Sequence, residues 1–277
     1  MTARLATRRE TALNYAVLAV FVASTLLPLL GLVTSALGQP NAGTATLTIP
    51  HSLHLSNLSA AWNQGHFSEY LLSSLIVSVA CSLLCCAVSL LAGYALGTMS
   101  FRGRELVFYV FLLGIMVPEE ALIVPLYFDL RNLGLTDTYW SLILPQTAGC
   151  LSFGVFWMRA FFRTTPPALR EAAAIDGASS WTTLVRVLLP ISRPALLTLA
   201  LLSFMWTWNE FLLPLVMIAT ESRRTAPLGL SFFRGEHLTQ YSLLSAAALI
   251  VAAPIVVLYL ILNRHFIAGM MAGAVKE

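Results

Sequence analysis

Charged residues are scarce in this chain: aspartate, glutamate, lysine and arginine make up only 10% of its 277 residues. Soluble globular domains carry about a quarter. Together with 58% hydrophobic residues, this composition excludes an ordinary soluble domain and indicates one membrane domain over residues 1–277. The net charge is only +3, and no basic stripe interleaved with aromatic residues occurs, so no nucleic-acid partner is expected.

Lysine is nearly absent, since the chain contains a single one, Lys276, beside its last residue. A phosphate-binding G-x-x-x-x-G-K-[ST] loop needs a lysine inside a strand–loop–helix unit, so the chain is not expected to carry that kind of nucleotide site. The patterns H-E-x-x-H and G-x-S-x-G are missing as well. The sequence therefore predicts no enzyme, no catalytic residue and no cofactor, and an energy supply would have to come from another chain.

Cysteines are also few, and all of them lie inside apolar runs: Cys81, Cys85, Cys86 and Cys150. Cys81 and Cys85 share a helix face, four residues apart, but no histidine or carboxylate stands with them at the spacing of metal ligands. We interpret these cysteines as small packing residues, and no metal site is expected.

Long apolar runs, by contrast, dominate the sequence. A helix needs about 20 residues to cross a bilayer, and the runs of suitable length cover residues 15–37, 70–97, 106–128, 139–162, 195–219 and 242–262. The third is interrupted by Pro118 and Pro125, which a spanning helix tolerates when neighbouring groups satisfy the freed carbonyls. The sequence therefore predicts an all-α membrane protein with six transmembrane helices.

Positive charges are distributed unevenly between the segments that connect these runs. With both termini in the cytoplasm, the inner segments hold Arg4, Arg8, Arg9, Arg102, Arg104, Arg159, Arg163, Arg170, Arg186, Arg193, Arg264 and Lys276. The outer segments then hold only Arg131, Arg223, Arg224 and Arg234. Because short cytoplasmic loops carry the excess of lysine and arginine, we expect a multi-pass protein with both termini in the cytoplasm.

Residues 163–194, between the fourth and fifth runs, differ from a membrane span because they carry charges, a glycine and two short helical patterns. The first pattern, residues 168–176, is made of good helix formers. Gly177 follows at the point where a helix can end in the left-handed region, which glycine enters without steric penalty. A sharp turn is therefore predicted at Gly177.

The second pattern of this segment begins at Ser179 or Ser180, either of which can cap a helix. Its apolar residues recur at helical spacing and are expected to form one face: Trp181, Leu184, Val185 and Leu188. Pro190 is expected to end this helix. The segment is thus predicted to be a helix–turn–helix that lies outside the lipid, on the cytoplasmic side.

The same segment contains a longer pattern, made of Glu171, Ala172 and Ala173, then Gly177, then nine residues, then Val187, Leu188, Leu189 and Pro190. It resembles the coupling motif of ABC importer permeases, E-A-A-x3-G-x9-I-x-L-P, with valine in place of isoleucine as its one departure. The whole chain resembles the maltose-type, six-span carbohydrate permeases. The alternative is an amphipathic hairpin on the bilayer surface, which has no need of a glycine at that offset.

This resemblance implies partners and a location. The segment would be the coupling helix pair that docks into a groove on an ATPase, through Glu171, Ala172, Ala173, Asp176, Gly177, Leu189 and Pro190. A second homologous permease subunit, two cytoplasmic ATPase subunits and an extracytoplasmic substrate-binding protein would complete an importer in a bacterial cytoplasmic membrane, in contact with membrane lipid. The implied substrate is a di- or oligosaccharide, with glycerol phosphate esters or polyols as alternatives.

The C-terminal residues 269–276 resemble the family's G-x-x-x-G-A-V-K terminus. In maltose-type importers that terminus can reach the ATPase interface, and a plain solvated tail is the alternative.

Several polar residues fall inside predicted spans, where an ionisable group costs about 2.5–3.5 kcal/mol on insertion scales. They are Glu119 and Glu120 in the third run, and Trp206, Asn209 and Glu210 in the fifth. One hypothesis assigns Glu120, Trp206, Asn209 and Glu210 to a translocation pathway, with aromatic rings stacking on sugar faces. The other assigns them to broken-helix backbone or a subunit interface. The sequence leaves both open and gives Glu119 no role.

Two other classes of function fit part of the sequence. An ion-coupled secondary transporter would use the intramembrane carboxylates, but it gives no reason for the helix pair around Gly177. A membrane scaffold or sensor would need no polar residues at membrane depth.

Overall fold

The computed structural model describes residues 8–39, 52–234 and 240–274. The principal helices of these residues are α1 (Arg8–Ala36), α2 (Ser56–Gln64), α3 (Phe67–Thr98), α4 (Arg104–Met116), α5 (Glu119–Asn132), α6 (Trp140–Thr164), α7 (Ala168–Ile175), α8 (Ser180–Asn209), α9 (Leu212–Met217) and α10 (Tyr241–Ala274). The described part of the chain is therefore all-α, as predicted. Arg4, Lys276 and the end of the tail pattern lie outside the described residues.

Five helices of the described chain are long and apolar enough to cross a membrane, namely α1, α3, α6, α8 and the part of α10 from Tyr241 to Ile261. Helices α4 and α5 together form a sixth candidate, with a bend of 100° at the break between them. The structure thus has the long apolar helices that the six-span prediction requires.

The break between α4 and α5 lies at Val117 and Pro118, whose backbones are both extended, with ψ angles of 120° and 119°. Proline has no N–H to donate and also pushes the residue before it out of the helical region. Pro125, in contrast, lies inside α5 without ending it. Of the two prolines expected to interrupt the third span, only Pro118 does so.

Helix α8 corrects the expectation that Pro190 ends the second hairpin helix. The helix runs without interruption from Ser180 to Asn209, so the hairpin arm and the fifth span form one rod. A π-helical turn occupies Thr183–Leu188, directly before the proline. This wider turn has longer hydrogen bonds and relieves the clash between a proline ring and the carbonyl four residues earlier, which breaks an ordinary helix.

The same π turn changes which residues of this arm are buried. Leu184 and Leu188 are buried, but Trp181 is 64% exposed and Val185 is 39% exposed. The predicted single apolar face is therefore wrong for Trp181 and Val185. A regular helical period places all four side chains together, whereas a π turn rotates part of the arm away from the core.

The chain divides into two compact units, the first made of residues 1–67 and 229–252. In this unit the Asn57 amide donates hydrogen bonds of 2.9 Å to the carbonyls of Ala36 and Gly38. Ser245 donates to the Ser35 hydroxyl at 3.1 Å. These bonds fasten the end of α1 to α2 and to the start of α10.

The second unit, residues 68–228 and 253–277, contains the hairpin and most of the polar residues predicted at membrane depth. One apolar cluster joins α3, α5, α6 and α9 through residues such as Val77, Cys81, Ile123, Leu142 and Met217. Another joins α3, α6 and α8 through residues such as Cys85, Cys150, Met158, Leu188 and Leu199. Three of the four cysteines are thus buried packing residues, as interpreted.

Asp137 holds two connections together at the end of this unit opposite the hairpin. Its carboxylate accepts hydrogen bonds from the N–H groups of Ala219 and Thr220, at 3.0 and 2.8 Å, and from the Thr220 hydroxyl at 2.6 Å. Arg223 pairs with the same carboxylate at 3.5 Å. The hydrogen bonds from Thr220, with those from Ala219 and the charge of Arg223, lower the pKa of Asp137 below its usual value.

This contact predicts a pH dependence. Because the folded pKa of Asp137 is depressed, its stabilisation is present above the usual aspartate pKa of about 3.9 and is lost as the pH falls through the lowered value. Asp137→Asn removes the charge but keeps a residue that tolerates the φ of +57° found there. We expect the variant to melt a few degrees lower at neutral pH and to match the parent in strong acid. A difference in melting temperature that does not shrink on acidification would contradict this.

Candidate functional site

The turn between α7 and α8 has the geometry that the sequence predicts at Gly177. The glycine has φ = +76°, its N–H donates to the carbonyl of Ala174 at 3.0 Å, and the N–H of Ala178 donates to Ala173 at 2.9 Å. This pair of bonds is the Schellman pattern that ends helices in the left-handed region. The helix therefore stops at a fixed point and the chain reverses within a few residues.

The second arm starts on Ser179, whose backbone is extended, with ψ = 162°. Its hydroxyl accepts the N–H of Thr182 at 3.2 Å and contacts the Thr182 hydroxyl at 3.0 Å. This bond satisfies one of the free N–H groups at the start of α8. Both ends of the turn are thus fixed by hydrogen bonds within the hairpin.

Two further hydrogen bonds fasten the hairpin to the end of α3. From α7, the Arg170 guanidinium donates to the carbonyl of Thr98 at 2.8 Å. From the start of α8, the carbonyl of Ser180 accepts the hydroxyl of Tyr94 at 3.2 Å. A cation at a helix C-terminus is favoured by the helix dipole. Each arm of the hairpin is therefore tied to the same helix, and neither contact was predicted from the sequence.

The rest of the hairpin tip is exposed. Glu171 and Asp176 are exposed, and Ile175, one turn after Glu171, is 86% exposed. Of the two alanines predicted to couple, Ala172 is exposed and Ala173 is buried. Leu189 and Pro190, the last predicted coupling residues, lie farther along α8, half-buried and exposed respectively. Exposed apolar side chains beside carboxylates, on a segment that is itself fastened down, are typical of a docking surface.

A polar cavity of about 620 Å³ lies midway along the second unit, at the breaks in two helices. One break separates α4 from α5, and the other separates α8 from α9 at Glu210, whose backbone is extended. Its lining includes Glu119, Gln146, Trp206, Asn209 and Glu210. An adjoining cavity of about 340 Å³ is lined by Glu119, Glu120, Gln146 and Glu210, among others. Broken helices around a cavity are a common way to build a membrane transport site.

The structure therefore brings the predicted pathway residues together, but it also gives some of them structural contacts. The Glu210 carboxylate accepts the N–H groups of Leu212 and Leu213, at 2.9 and 3.0 Å, and so caps α9. The Asn209 amide donates to the carbonyl of Met205 at 2.7 Å. Trp206 packs edge-on against Phe153, 5.2 Å between ring centroids. Glu210 both supports the broken backbone and lines the cavity, so the two hypotheses for it are compatible.

Sequence reasoning missed three other residues of this cavity. Glu119, which was given no role, lies against Gly149 of α6 so closely that a Cβ at that position would be 2.1 Å from its carboxylate oxygen. Gln146, also on α6, is only 8% exposed, and neither atom of its amide has a hydrogen-bond partner. The position of Glu119 after Pro118 was a signal in the sequence, whereas nothing there marked Gln146 or Gly149.

Comparison with known proteins gives the same class of molecule. Residues 89–271 match the family described as binding-protein-dependent transport system inner membrane component. The diacetylchitobiose uptake system permease protein NgcG of Streptomyces coelicolor is 30% identical over 97% of this chain and 90% of its own length. The trehalose transport system permease protein SugB of Mycobacterium tuberculosis is 32% identical over 91% of this chain and 92% of its own.

The fold is also that of a solved transporter. The structure of a bacterial ABC transporter involved in the import of the acidic polysaccharide alginate matches 95% of this chain and 100% of the matched chain, with a TM-score of 0.82 and 19% identity. The predicted resemblance to ABC importer permeases is confirmed by the family match over residues 89–271. The chain is a multi-pass inner membrane protein and belongs to the family of inner membrane components of binding-protein-dependent transport systems.

Proposed function

We propose that this chain is one of two permease subunits of an ATP-driven importer, and that its substrate is a di- or oligosaccharide delivered by an external binding protein. The family is named for transport systems that depend on a binding protein, and the relatives NgcG and SugB are named for diacetylchitobiose and trehalose. The alginate transporter of similar fold has been solved in complex with alginate pentasaccharide-bound periplasmic protein. These names favour a sugar with more than one ring.

The observation that carries the proposal is the hairpin around Gly177. It is tied to α3 through Arg170 and Tyr94, and its second arm continues without a break through Pro190 into the fifth span. A rigid rod that begins at a docking surface and ends at a cavity-lining break can transmit a movement over its whole length. The lysine and arginine distribution places the hairpin in the cytoplasm, where an ATPase dimer would grip it.

In this mechanism, ATP binding closes the two ATPase subunits and draws the two hairpins of the permease pair together. The permeases then rock from an inward- to an outward-facing state as rigid bodies. The sugar crosses through the polar cavity, where Glu120, Asn209 and Glu210 accept or donate hydrogen bonds to hydroxyl groups and the ring of Trp206 stacks on a sugar face. A smaller amide- or carboxylate-bearing cavity without the hairpin would not explain the tie to α3.

Deletion of the gene tests the proposal directly. We expect the deletion strain to lose uptake of the radiolabelled sugar that the cognate binding protein retains, and a plasmid copy to restore it. Undiminished uptake in the deletion strain would reject the assignment as an essential import subunit. A complex that takes up sugar without a co-purifying ATPase would instead support an ion-coupled transporter.

Glu210→Ala tests the cavity within this framework. The substitution removes the cap of α9, and loss of a carboxylate cap costs about 0.5–2 kcal/mol, so the complex should still assemble. We expect uptake to fall about tenfold or more, because the break loses its support and the cavity loses a hydroxyl-binding group. The matched variant Glu210→Gln keeps an oxygen that can accept the N–H groups of Leu212 and Leu213 and should retain most of the uptake. Unchanged uptake by Glu210→Ala would leave packing as its role.

A further inference from the structure

The polar cavity is acidic. Glu119, Glu120 and Glu210 lie along its two connected parts, and Glu119 is within electrostatic reach of both other carboxylates. Among the described residues that line either part there is no lysine, arginine or histidine. At membrane depth the local dielectric constant is low, so carboxylates repel an entering anion strongly. The same oxygens accept hydrogen bonds from the hydroxyl groups of a neutral solute.

A second observation in the same place points to a ligand. The Gln146 side chain is more than nine-tenths buried and lines both parts of the cavity, yet its amide nitrogen and oxygen have no partner. A buried amide without hydrogen bonds destabilises a fold, and native proteins rarely keep one without a reason. Its neighbouring donor and acceptor match a hydroxyl group, which can accept one hydrogen bond and donate another.

We propose that this cavity is a charge filter, which admits neutral solutes rich in hydroxyl groups through contact with Gln146 and excludes anionic ones such as uronates and phosphate esters. Glu119 and Glu210 set the charge, and Gln146 is the hydrogen-bonding contact at the wall. The solute route rests on the proposed function, but the charge of the cavity can be measured without any transport.

The charge is tested by placing a cysteine at Asn209 in the assembled importer. Two methanethiosulfonate reagents of similar size are compared, one carrying a trimethylammonium group and the other a sulfonate, and each rate is divided by its rate with free 2-mercaptoethanol. The importer without the new cysteine serves as the blank for the buried native thiols. We expect the corrected rates to favour the cation by about tenfold or more.

Matched variants identify the source of this preference. Glu119→Gln should reduce it several-fold, and Glu119→Gln with Glu210→Gln should bring the corrected ratio close to one. Glu69→Gln, the same substitution at an exposed carboxylate outside the lining, should leave the ratio unchanged. A ratio equal to that of the free thiol, or one that is indifferent to Glu119→Gln, overturns the filter. A basic residue brought into the cavity by the partner permease would give that result.

The contact to Gln146 is tested by protection of the same Asn209→Cys thiol. The probes are trehalose and trehalose 6-phosphate, which differ by one phosphate group. Trehalose at saturating concentration should slow labelling by the cationic reagent at least about twofold, the change expected at half occupancy or more, and trehalose 6-phosphate should not. Gln146→Leu should abolish protection by trehalose, since it replaces an amide without partners by an apolar group of similar size, a change that leaves the fold intact.

Ser78→Ala is the control for this arm, because it removes another buried polar group that has no partner and does not line the cavity. It should leave protection unchanged. Equal protection by both probes, protection by neither, or full protection in Gln146→Leu overturns the proposal. If the filter is measured but deletion of the gene leaves sugar uptake intact, the proposed function fails and the filter stands. The opposite pattern rejects the filter alone.

Discussion

Gly177→Val is expected to abolish uptake while leaving the chain inserted in the membrane at its normal level. The glycine has φ = +76°, and a Cβ built there meets no atom within 4 Å, so the substitution creates no clash with the rest of the protein. The penalty is confined to the backbone: a β-branched residue in the left-handed region is a steric outlier, and such strain costs about 1–3 kcal/mol. The turn must therefore change its course.

The change of course matters because two hydrogen bonds, from Gly177 and Ala178, close the turn and orient the tip relative to α8. If α8 is the rod that carries movement from an ATPase to the cavity, a tip displaced by a few ångströms no longer docks, and the rod is not moved. Uptake should fall to background, about a hundredfold or more below the parent, as expected for loss of a lever and not of a single contact.

Two variants make this result specific. Gly177→Asn should keep much of the activity, because asparagine enters the left-handed region far more readily than valine does. Gly103→Val places the same strain at another glycine with open space and φ = +85°, outside the hairpin, and should have a smaller effect. Membrane level is followed by immunoblot and uptake by radiolabelled sugar. Normal uptake by Gly177→Val would count heavily against a coupling role.

The parts of the fold that follow a local pattern could be predicted from the sequence. The long apolar runs mark the spanning helices because each run has its own length and composition. The turn at Gly177 was visible because helix formers precede it and serines follow it, and both the Schellman bonds and the Ser179 cap are made among neighbours in sequence. These features depend on residues within one or two turns.

The parts that depend on distant residues could not be predicted. Arg170 and Thr98, 72 positions apart, meet only after α3 and the hairpin have packed together. Gly149 shows its purpose only when Glu119 of another helix lies against it, and Gln146 is notable only for partners that it lacks. Pro190 misled because its usual effect on a helix is cancelled by the π turn before it, and no local signal announces such a turn.

Glu171→Arg is expected to detach the ATPase from the permease. Glu171 is exposed in the first turn of α7, and Ile175, four residues later on the same face, is 86% exposed. An acidic group beside an unpartnered apolar side chain would fit a basic and apolar groove on the ATPase. Reversal of the charge places two cations together, and such juxtapositions cost several kcal/mol at an interface.

Recovery of the ATPase in a pull-down through a tagged permease measures this effect. We expect recovery to fall about tenfold or more in Glu171→Arg, and less in Ile175→Ala, which removes apolar area without adding repulsion. Glu69→Arg carries the same charge reversal on an exposed carboxylate of α3 outside the hairpin and should leave recovery unchanged. A compensating charge reversal on the ATPase should restore the complex with Glu171→Arg, because the repelling cation is then replaced by an anion. Unchanged recovery in Glu171→Arg would mean that the ATPase binds elsewhere on the chain, and α8 would then have no load to transmit.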